Sequence, residues 1–262
     1  MTFSETIIPI PALRDNYIWL FFDKTTRDAW VVDPGDAGPV IAALKEHQLA
    51  LAGILLTHHH ADHSGGILQL RQQWTQCTVY GSEKSPLDCL TQRVNQHTIL
   101  QCGPVTLQVL AIPGHTLDHV AYYNNQVLFC GDTLFSAGCG RIFEGTAPQM
   151  YHTLMQLAQL PEEIHLFCGH EYTLANLTFA QTVEPQNAAI AAKIQQVHAL
   201  RAAQLPSLPA ILREEKQYNP FLRCDQKTVI QAVENYCQRS LPSPLDVFTE
   251  LRQWKNNFIA LF

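Results

Sequence analysis

Thr57-His58-His59-His60-Ala61-Asp62-His63 decides how this chain is read. Four imidazoles and one carboxylate fall within six consecutive positions. Such groups are costly to bury without partners, so packing alone would not select them. The apolar run Ala50-Leu51-Ala52-Gly53-Ile54-Leu55-Leu56 precedes them, and Ser64-Gly65-Gly66 with the periodic Ile67-Leu68-Gln69-Leu70 follows. That order predicts a buried strand, a tight loop and a helix. A loop at the carboxyl end of a strand is where open α/β architectures place their sites. Imidazole and carboxylate without thiolate suit zinc, iron or manganese, and argue against a purely structural zinc.

Working outward, residues 7–10, 17–22 and 29–32 read as strands, the last closed by the turn Asp33-Pro34-Gly35-Asp36. Residues 39–47 are helix-like, with Val40, Ile41, Ala43 and Leu44 on one face. Beyond the histidine loop, 78–80 is a short strand, and 82–95 is mixed and carries no assignment. Residues 105–112 form a strand, and 119–123 with 127–130 form a hairpin around Asn124-Asn125. A helix over 148–160 buries Met150, Leu154, Leu157 and Ala158, and 164–168 is a strand. His115, Asp132 and His170 each stand just past a predicted strand, as expected if two sheets converge at one edge.

The character changes after about Tyr172. Residues 173–183, 188–204, 228–236 and 245–258 read as helices, interrupted at Pro206-Ser207-Leu208-Pro209, and no strand is expected there. We therefore divide the chain into an α/β domain, 1–172, and a mainly helical domain, 173–262. With 262 residues, 47% of them hydrophobic, a sizeable core is possible. The formal charge of -6 offers no basic stripe for nucleic acid. No run is long enough to span a bilayer, and Met1-Thr2-Phe3-Ser4-Glu5 does not read as a signal peptide. The eight cysteines form no C-x-x-C pair and are expected to be reduced thiols. A cytoplasmic monomer is expected.

His58-x-His60-x-Asp62-His63 resembles the signature of the metallo-β-lactamase superfamily of metal-dependent hydrolases. Pro113-Gly114-His115-Thr116, Gly131-Asp132-Thr133-Leu134-Phe135 and Gly169-His170-Glu171-Tyr172-Thr173 follow in the order that superfamily requires. Within it the chain is most similar to the glyoxalase II (hydroxyacylglutathione hydrolase) family. The similarity runs from Asp15-Asn16-Tyr17 through Gly138-Cys139-Gly140-Arg141 and Glu144-Gly145-Thr146 to Tyr218-Asn219-Pro220-Phe221-Leu222-Arg223.

The resemblance implies an αββα sandwich followed by a smaller, mainly helical C-terminal domain. It implies two divalent metal ions, zinc before iron or manganese. His58, His60 and His115 would hold one; Asp62, His63 and His170 would hold the other; Asp132 would bridge them. Two metals ~3.5–4 Å apart would make hydroxide available near neutrality to attack a thioester carbonyl. The implied reaction is hydrolysis of S-D-lactoylglutathione to D-lactate and glutathione, the second step of methylglyoxal detoxification. Arg141, Phe143, Tyr172, Arg252 and Lys255 fall on the family's glutathione contacts.

Blander readings apply elsewhere. His59 alternates out of the His58/His60 face and is read as structural or supporting, as is His119. His47, His97, His152, His165 and His198 have no ligand-like context. Arg252 and Lys255, one helical turn apart, would alone be a solvated face. Asp118 stands where the family usually has Gly, and a positive φ there would strain it. Competing functions are a persulfide dioxygenase with one iron held by two His and one Asp, another hydrolase of this fold, or a degenerate metallo-fold that binds a partner. The complete ligand set and the long helical tail with Arg252 and Lys255 argue against the dioxygenase, the lack of a signal-peptide pattern disfavours a secreted β-lactamase, and retained ligands without a basic groove argue against the degenerate fold.

Overall fold

The computed structural model describes residues 3–258. The chain opens with strands β1 (Ile8–Ala12), β2 (Asn16–Phe22) and β3 (Asp28–Val32), helix α1 (Ala37–Glu46) and strand β4 (Ala50–Leu55). The single turn α2 (Ala61–Ser64) and helix α3 (Ile67–Gln73) follow, then β5 (Thr78–Ser82) and β6 (Gln92–Val94). Next come β7 (Ile99–Cys102), β8 (Val105–Ala111), β9 (Val120–Tyr123), β10 (Val127–Gly131), the small pair β11 (Leu134–Phe135) and β12 (Gly138–Cys139), α4 (Ala147–Leu157) and β13 (His165–Cys168). The rest is α5 (Thr173–Val183), α6 (Ala188–Ala202), β14 (Ala210–Ile211), α7 (Leu212–Tyr218), α8 (Lys227–Cys237) and α9 (Pro244–Asn257). One sheet runs β1-β2-β3-β4-β5-β6 and the other β14-β13-β10-β9-β8-β7.

Period-two alternation assigns the layers. On β2, Ile18 and Leu20 pack with Val40, Leu44, Ile67 and Leu70, beneath α1 and α3. Tyr17, Trp19 and Phe21 point the other way, into the core shared with the second sheet. There Trp19 meets Phe167 at 5.0 Å and Phe21 stacks on Phe129 at 5.8 Å. Both faces of the strand are covered, so its sequence is continuously apolar rather than alternating. Burying each large side chain contributes about 1.5–3 kcal/mol. Phe179, Phe221 and Phe248 join the same core, which places the C-terminal helices against the sandwich. Together these layers form the expected αββα sandwich with a helical C-terminal region.

The helix starts are set by local caps. Asp36 accepts Gly38 N–H at the head of α1, and Thr146 and Gln149 form a capping box on α4. The sequence reading missed several elements. Residues 82–95 contain β6, and β7 follows it. Contrary to the all-helical expectation, β14 adds a strand beside β13 through His165↔Ile211 and Leu166↔Ala210. Two residues are too short to display a period. Helix α7 escaped because its inward face carries the fully buried Glu215 where an apolar residue would mark a helix.

Strand direction gathers the site. β3 and β4 are parallel, as are β10 and β13. β8 and β10 both run antiparallel to β9 and so point the same way. The carboxyl ends of β3, β4, β8, β10 and β13 therefore open at one edge, where the isolated bridge Asn16↔His170 ties the two sheets.

Candidate metal centre and substrate cavity

Three imidazole nitrogens face one point. His58 Nε2 and His115 Nε2 each lie 3.1 Å from His60 Nδ1. A second group adjoins it: His63 Nε2 lies 3.4 Å from Asp62 Oδ2, and His170 Nε2 lies 3.3 Å from the same oxygen. Asp132 stands between the groups. Its Oδ1 is 3.4 Å from His63 Nε2, and its Oδ2 is 3.3 Å from His170 Nε2 and 3.6 Å from His115 Nε2. Glycines permit this crowding. A Cβ on Gly169 would sit 2.5 Å from Asp132 Oδ1, and Gly131 holds φ +48° immediately before Asp132. The seven residues that the sequence pattern selects are thus brought together.

Most of the far ring nitrogens are held. His58 Nδ1 lies 3.0 Å from Thr57 Oγ1, and His115 Nδ1 donates to Arg141 O at 2.7 Å. His63 Nδ1 lies 3.0 Å from Asp33 Oδ2, and His170 Nδ1 lies 2.8 Å from Asp15 Oδ1. An acceptor on Nδ1 keeps a proton there and makes Nε2 the nitrogen turned towards the cluster. Asp33 was read only as a turn residue and Asp15 only as part of a resemblance, so both of these roles were missed. Asp33 also accepts from Thr57 N and Thr57 Oγ1, each at 2.7 Å. Asp33, His58 and His63 can be grouped as a cation site, but Asp33 faces the rear nitrogen of His63, which makes it a support.

The two groups differ electrostatically. Burial, followed by the charge of His63, lowers the pKa of His58 well below the ordinary imidazole value. Burial also lowers His60 and His115. In the second group burial opposes charge and loses. Asp132 leads in holding His63 well above its usual value, and hydrogen bonds with Asp132 and Asp62 raise His170 to about 10. Asp62 is depressed by the imidazoles beside it, His170 first and then His63. Asp132 is depressed against its own burial, chiefly by His63. The donor set fits divalent metal: His63 Nε2 and Asp132 Oδ1 are buried without a hydrogen-bond partner, and both face the centre.

His59 is turned away, with Nδ1 2.9 Å from Asp118 Oδ1. His119 stacks on His58 at 4.5 Å and accepts Asp132 N–H at 3.2 Å. Asp118 is not among the residues with positive φ, so no left-handed strain arises there.

A cavity of about 350 Å³ opens beside the cluster, lined by His115, Asp132, Arg141, Tyr172, Arg252 and Lys255 with Phe135, Cys139, Phe143 and Asn176. All five expected glutathione contacts line it. Tyr172 stacks on His170 at 4.6 Å, and burial pushes its hydroxyl far above the ordinary range, so it remains a neutral donor. Arg252 is 7% exposed and gives Nη1 to Cys139 O at 2.8 Å, a hold the sequence did not suggest. Lys255 Nζ reaches Ala175 O at 3.2 Å, and burial, with Arg252 nearby, lowers it to about 8. Among the described residues no carboxylate pairs with Arg141, Arg252 or Lys255. A larger cleft of about 950 Å³, near Arg223 and Glu184, lies among the C-terminal helices, but those two charges are already paired.

The sandwich and its His/Asp clusters are those of a metal-dependent hydrolase fold: the metallo-beta-lactamase superfamily description matches residues 14–170. The description "Hydroxyacylglutathione hydrolase C-terminus" matches 171–258. A hydroxyacylglutathione hydrolase of Psychromonas ingrahamii is 46% identical over 97% of this chain and 100% of its own length. "Hydroxyacylglutathione hydrolase 2" of Vibrio vulnificus is 49% identical over 95% of this chain and 98% of its own. Among solved structures, ETHE1 from Myxococcus xanthus superposes with a TM-score of 0.64 at 27% identity, covering 95% of this chain and 97% of that one. The chain belongs to the hydroxyacylglutathione hydrolase family.

Proposed function

We infer that the protein hydrolyses 2-hydroxyacylglutathione thioesters, S-D-lactoylglutathione among them, to the hydroxy acid and glutathione. The observation that carries this reading beyond family membership is the cavity, where three cations that have no carboxylate partner among the described residues stand beside the His/Asp cluster. Glutathione carries two carboxylates, and charge-assisted hydrogen bonds from Arg and Lys are the strong way to hold them.

In this reading His58, His60 and His115 would hold one divalent ion, and Asp62, His63 and His170 would hold a second. Asp132, whose oxygens face both groups, would serve both. Zinc suits the donor set best, with iron or manganese as substitutes. When bound, such ions polarise a carbonyl and lower the pKa of water. The chain's own work is to aim and to bind. Asp15, Asp33 and the Arg141 carbonyl keep the imidazoles in the correct tautomer. Tyr172 offers a neutral hydroxyl within the cavity, while Arg252 and Lys255 take the ligand's terminal carboxylate. Phe143, 60% exposed, lies 5.6 Å from His60 and 5.3 Å from His115 and covers the mouth. A thiolate leaves readily, so no strong general acid is required.

We also assign metal binding to residues 1–172 and carboxylate binding mainly to 173–262, in a cytoplasmic monomer. Among the described residues no helix is long and apolar enough to cross a membrane. Metal analysis of the purified protein alongside thioester hydrolysis tests the proposal. Two metals per chain and hydrolysis of lactoylglutathione are expected; a metal-loaded protein that leaves the thioester intact would refute it.

A further inference from the structure

His59, Asp118 and Glu144 form a separate polar group near the centre, outside the seven residues assigned to it above. Asp118, 3% exposed, receives Thr116 Oγ1 on Oδ1 at 2.7 Å, and the same oxygen lies 2.9 Å from His59 Nδ1. The other ring nitrogen, His59 Nε2, lies 3.4 Å from Glu144 Oε1. Glu144 Oε2 in turn accepts Leu117 N–H at 2.9 Å. A line of side chains thus runs from a buried carboxylate, through an imidazole of the metal loop, to an exposed carboxylate on the segment 140–146. That segment carries Arg141 and Phe143.

The segment is fastened to the His115 loop by its backbone: Phe143 N and Glu144 N donate to His115 O, and Gly145 N donates to Gly114 O. Among the described residues its only polar link to the metal loop 57–63 is the one from His59 to Glu144. The other contact there is Phe143 against His60, a ring edge with no directional hold. Asp118 Oδ2 is buried without a hydrogen-bond partner. Burying a carboxylate costs more than burying an amide or a methyl group. Its backbone makes no special demand, so the carboxylate is explained by what Oδ1 holds.

We propose that Asp118, His59 and Glu144 form a strap that fixes segment 140–146 over the metal loop and so sets the position of Arg141 and Phe143 for the glutathione part of the substrate. The three are positioning residues, and the proposal rests on the function inferred above. Losing the strap raises KM for a glutathione thioester and leaves kcat and metal content nearly unchanged. Partly exposed charged contacts of this kind correspond to roughly two- to fivefold in binding.

The test is a double-mutant cycle on the metal-loaded enzyme. Asp118→Ala and Glu144→Ala should each raise KM for lactoylglutathione by roughly two- to fivefold, with little effect on a small thioester lacking glutathione. The double variant should be no worse than the worse single, because either change breaks the same line. In a His59→Ala background the two substitutions should have no further effect. Glu144→Gln, which keeps one acceptor oxygen and so can serve either His59 or Leu117 N–H but not both, should restore only part of the loss. Glu144 is exposed, so its variants report even if Asp118→Ala folds poorly. Hydrogen exchange over 140–146 should quicken in Asp118→Ala and Glu144→Ala, and this readout does not depend on the substrate. Multiplying effects on KM, or unchanged exchange in 140–146, would overturn the strap. A wild-type enzyme inert towards glutathione thioesters would overturn the functional reading alone.

Discussion

The two halves of the metal centre are built oppositely. His58, His60 and His115 are three imidazoles whose pKa values lie below the ordinary value, so they stand neutral and ready for a cation. Asp62, His63 and His170 mix carboxylate with imidazole, and both imidazoles are held above the ordinary value. The first half is shaped by desolvation and the second by charge. The lesson is that adjacent residues of one short motif can meet a metal in different protonation states. Asp132 belongs to both halves, and the heaviest consequence falls there. Asp132→Ala should lower bound metal and reduce thioester hydrolysis by roughly a hundredfold or more. A variant with full metal content and normal turnover would place Asp132 outside the centre.

A substitution behind one half should leave the other intact. Asp15→Asn weakens the hold on His170 Nδ1 and touches no residue of the first half. It should reduce the affinity of the second half by about ten- to a hundredfold, while the first half retains its metal. Equal loss at both halves, read by metal titration, would contradict the division.

The carboxylate clamp is independent of both halves. Arg252→Ala with Lys255→Ala should raise KM for lactoylglutathione at least about tenfold, the scale of one charged hydrogen bond. Metal content and hydrolysis of a small thioester should hold steady, because binding that is equal in ground and transition states leaves kcat alone. Arg252 also grips Cys139 O, so Lys255→Ala alone is the cleaner probe of KM, and Arg252→Ala should additionally lower thermal stability. An unchanged KM in the double variant would remove the clamp.

Protons sharpen the comparison further. A raised pKa means that a proton occupies the nitrogen at pH values where an ordinary imidazole is already free, and metal must displace it. Metal affinity of the second half should therefore climb with pH, for His170 up to about 10. At pH 7 the first half should bind without releasing protons, because its lowered values leave it neutral there. Calorimetry in buffers of different ionisation enthalpy counts the protons, and equal release from both halves would be the contrary result. The smallest effect is expected at His59, which faces Asp118 rather than the cluster. His59→Gln should keep two metals per chain, and finding one would show the ligand set to be misassigned.

The cluster was legible because four of its seven proposed ligands lie within six positions, and because His115, Asp132 and His170 each follow a recognisable strand. Their supports were not legible. Asp33 and Asp15 reach His63 and His170 only through sheet pairing, and an aspartate in Asp-Pro-Gly-Asp also reads as an ordinary turn. The helical tail was readable where its inward face is apolar, as on α9, and opaque on α7, where buried Glu215 accepts from Ser136, Ala137, Tyr218 and Asn219. Whether Asp118 was strained depended on one φ angle, and a sequence does not print φ.

The most direct measurement is stepwise addition of zinc to metal-free protein at pH 7, following heat, metal bound and hydrolysis of S-D-lactoylglutathione in the same samples. Two binding events per chain are expected, the first without proton release and the second with it, and full thioester hydrolysis should appear as the centre fills. Full hydrolysis by the metal-free protein, or a filled centre that leaves lactoylglutathione untouched, would contradict the assignment of these His/Asp clusters to glutathione thioester hydrolysis.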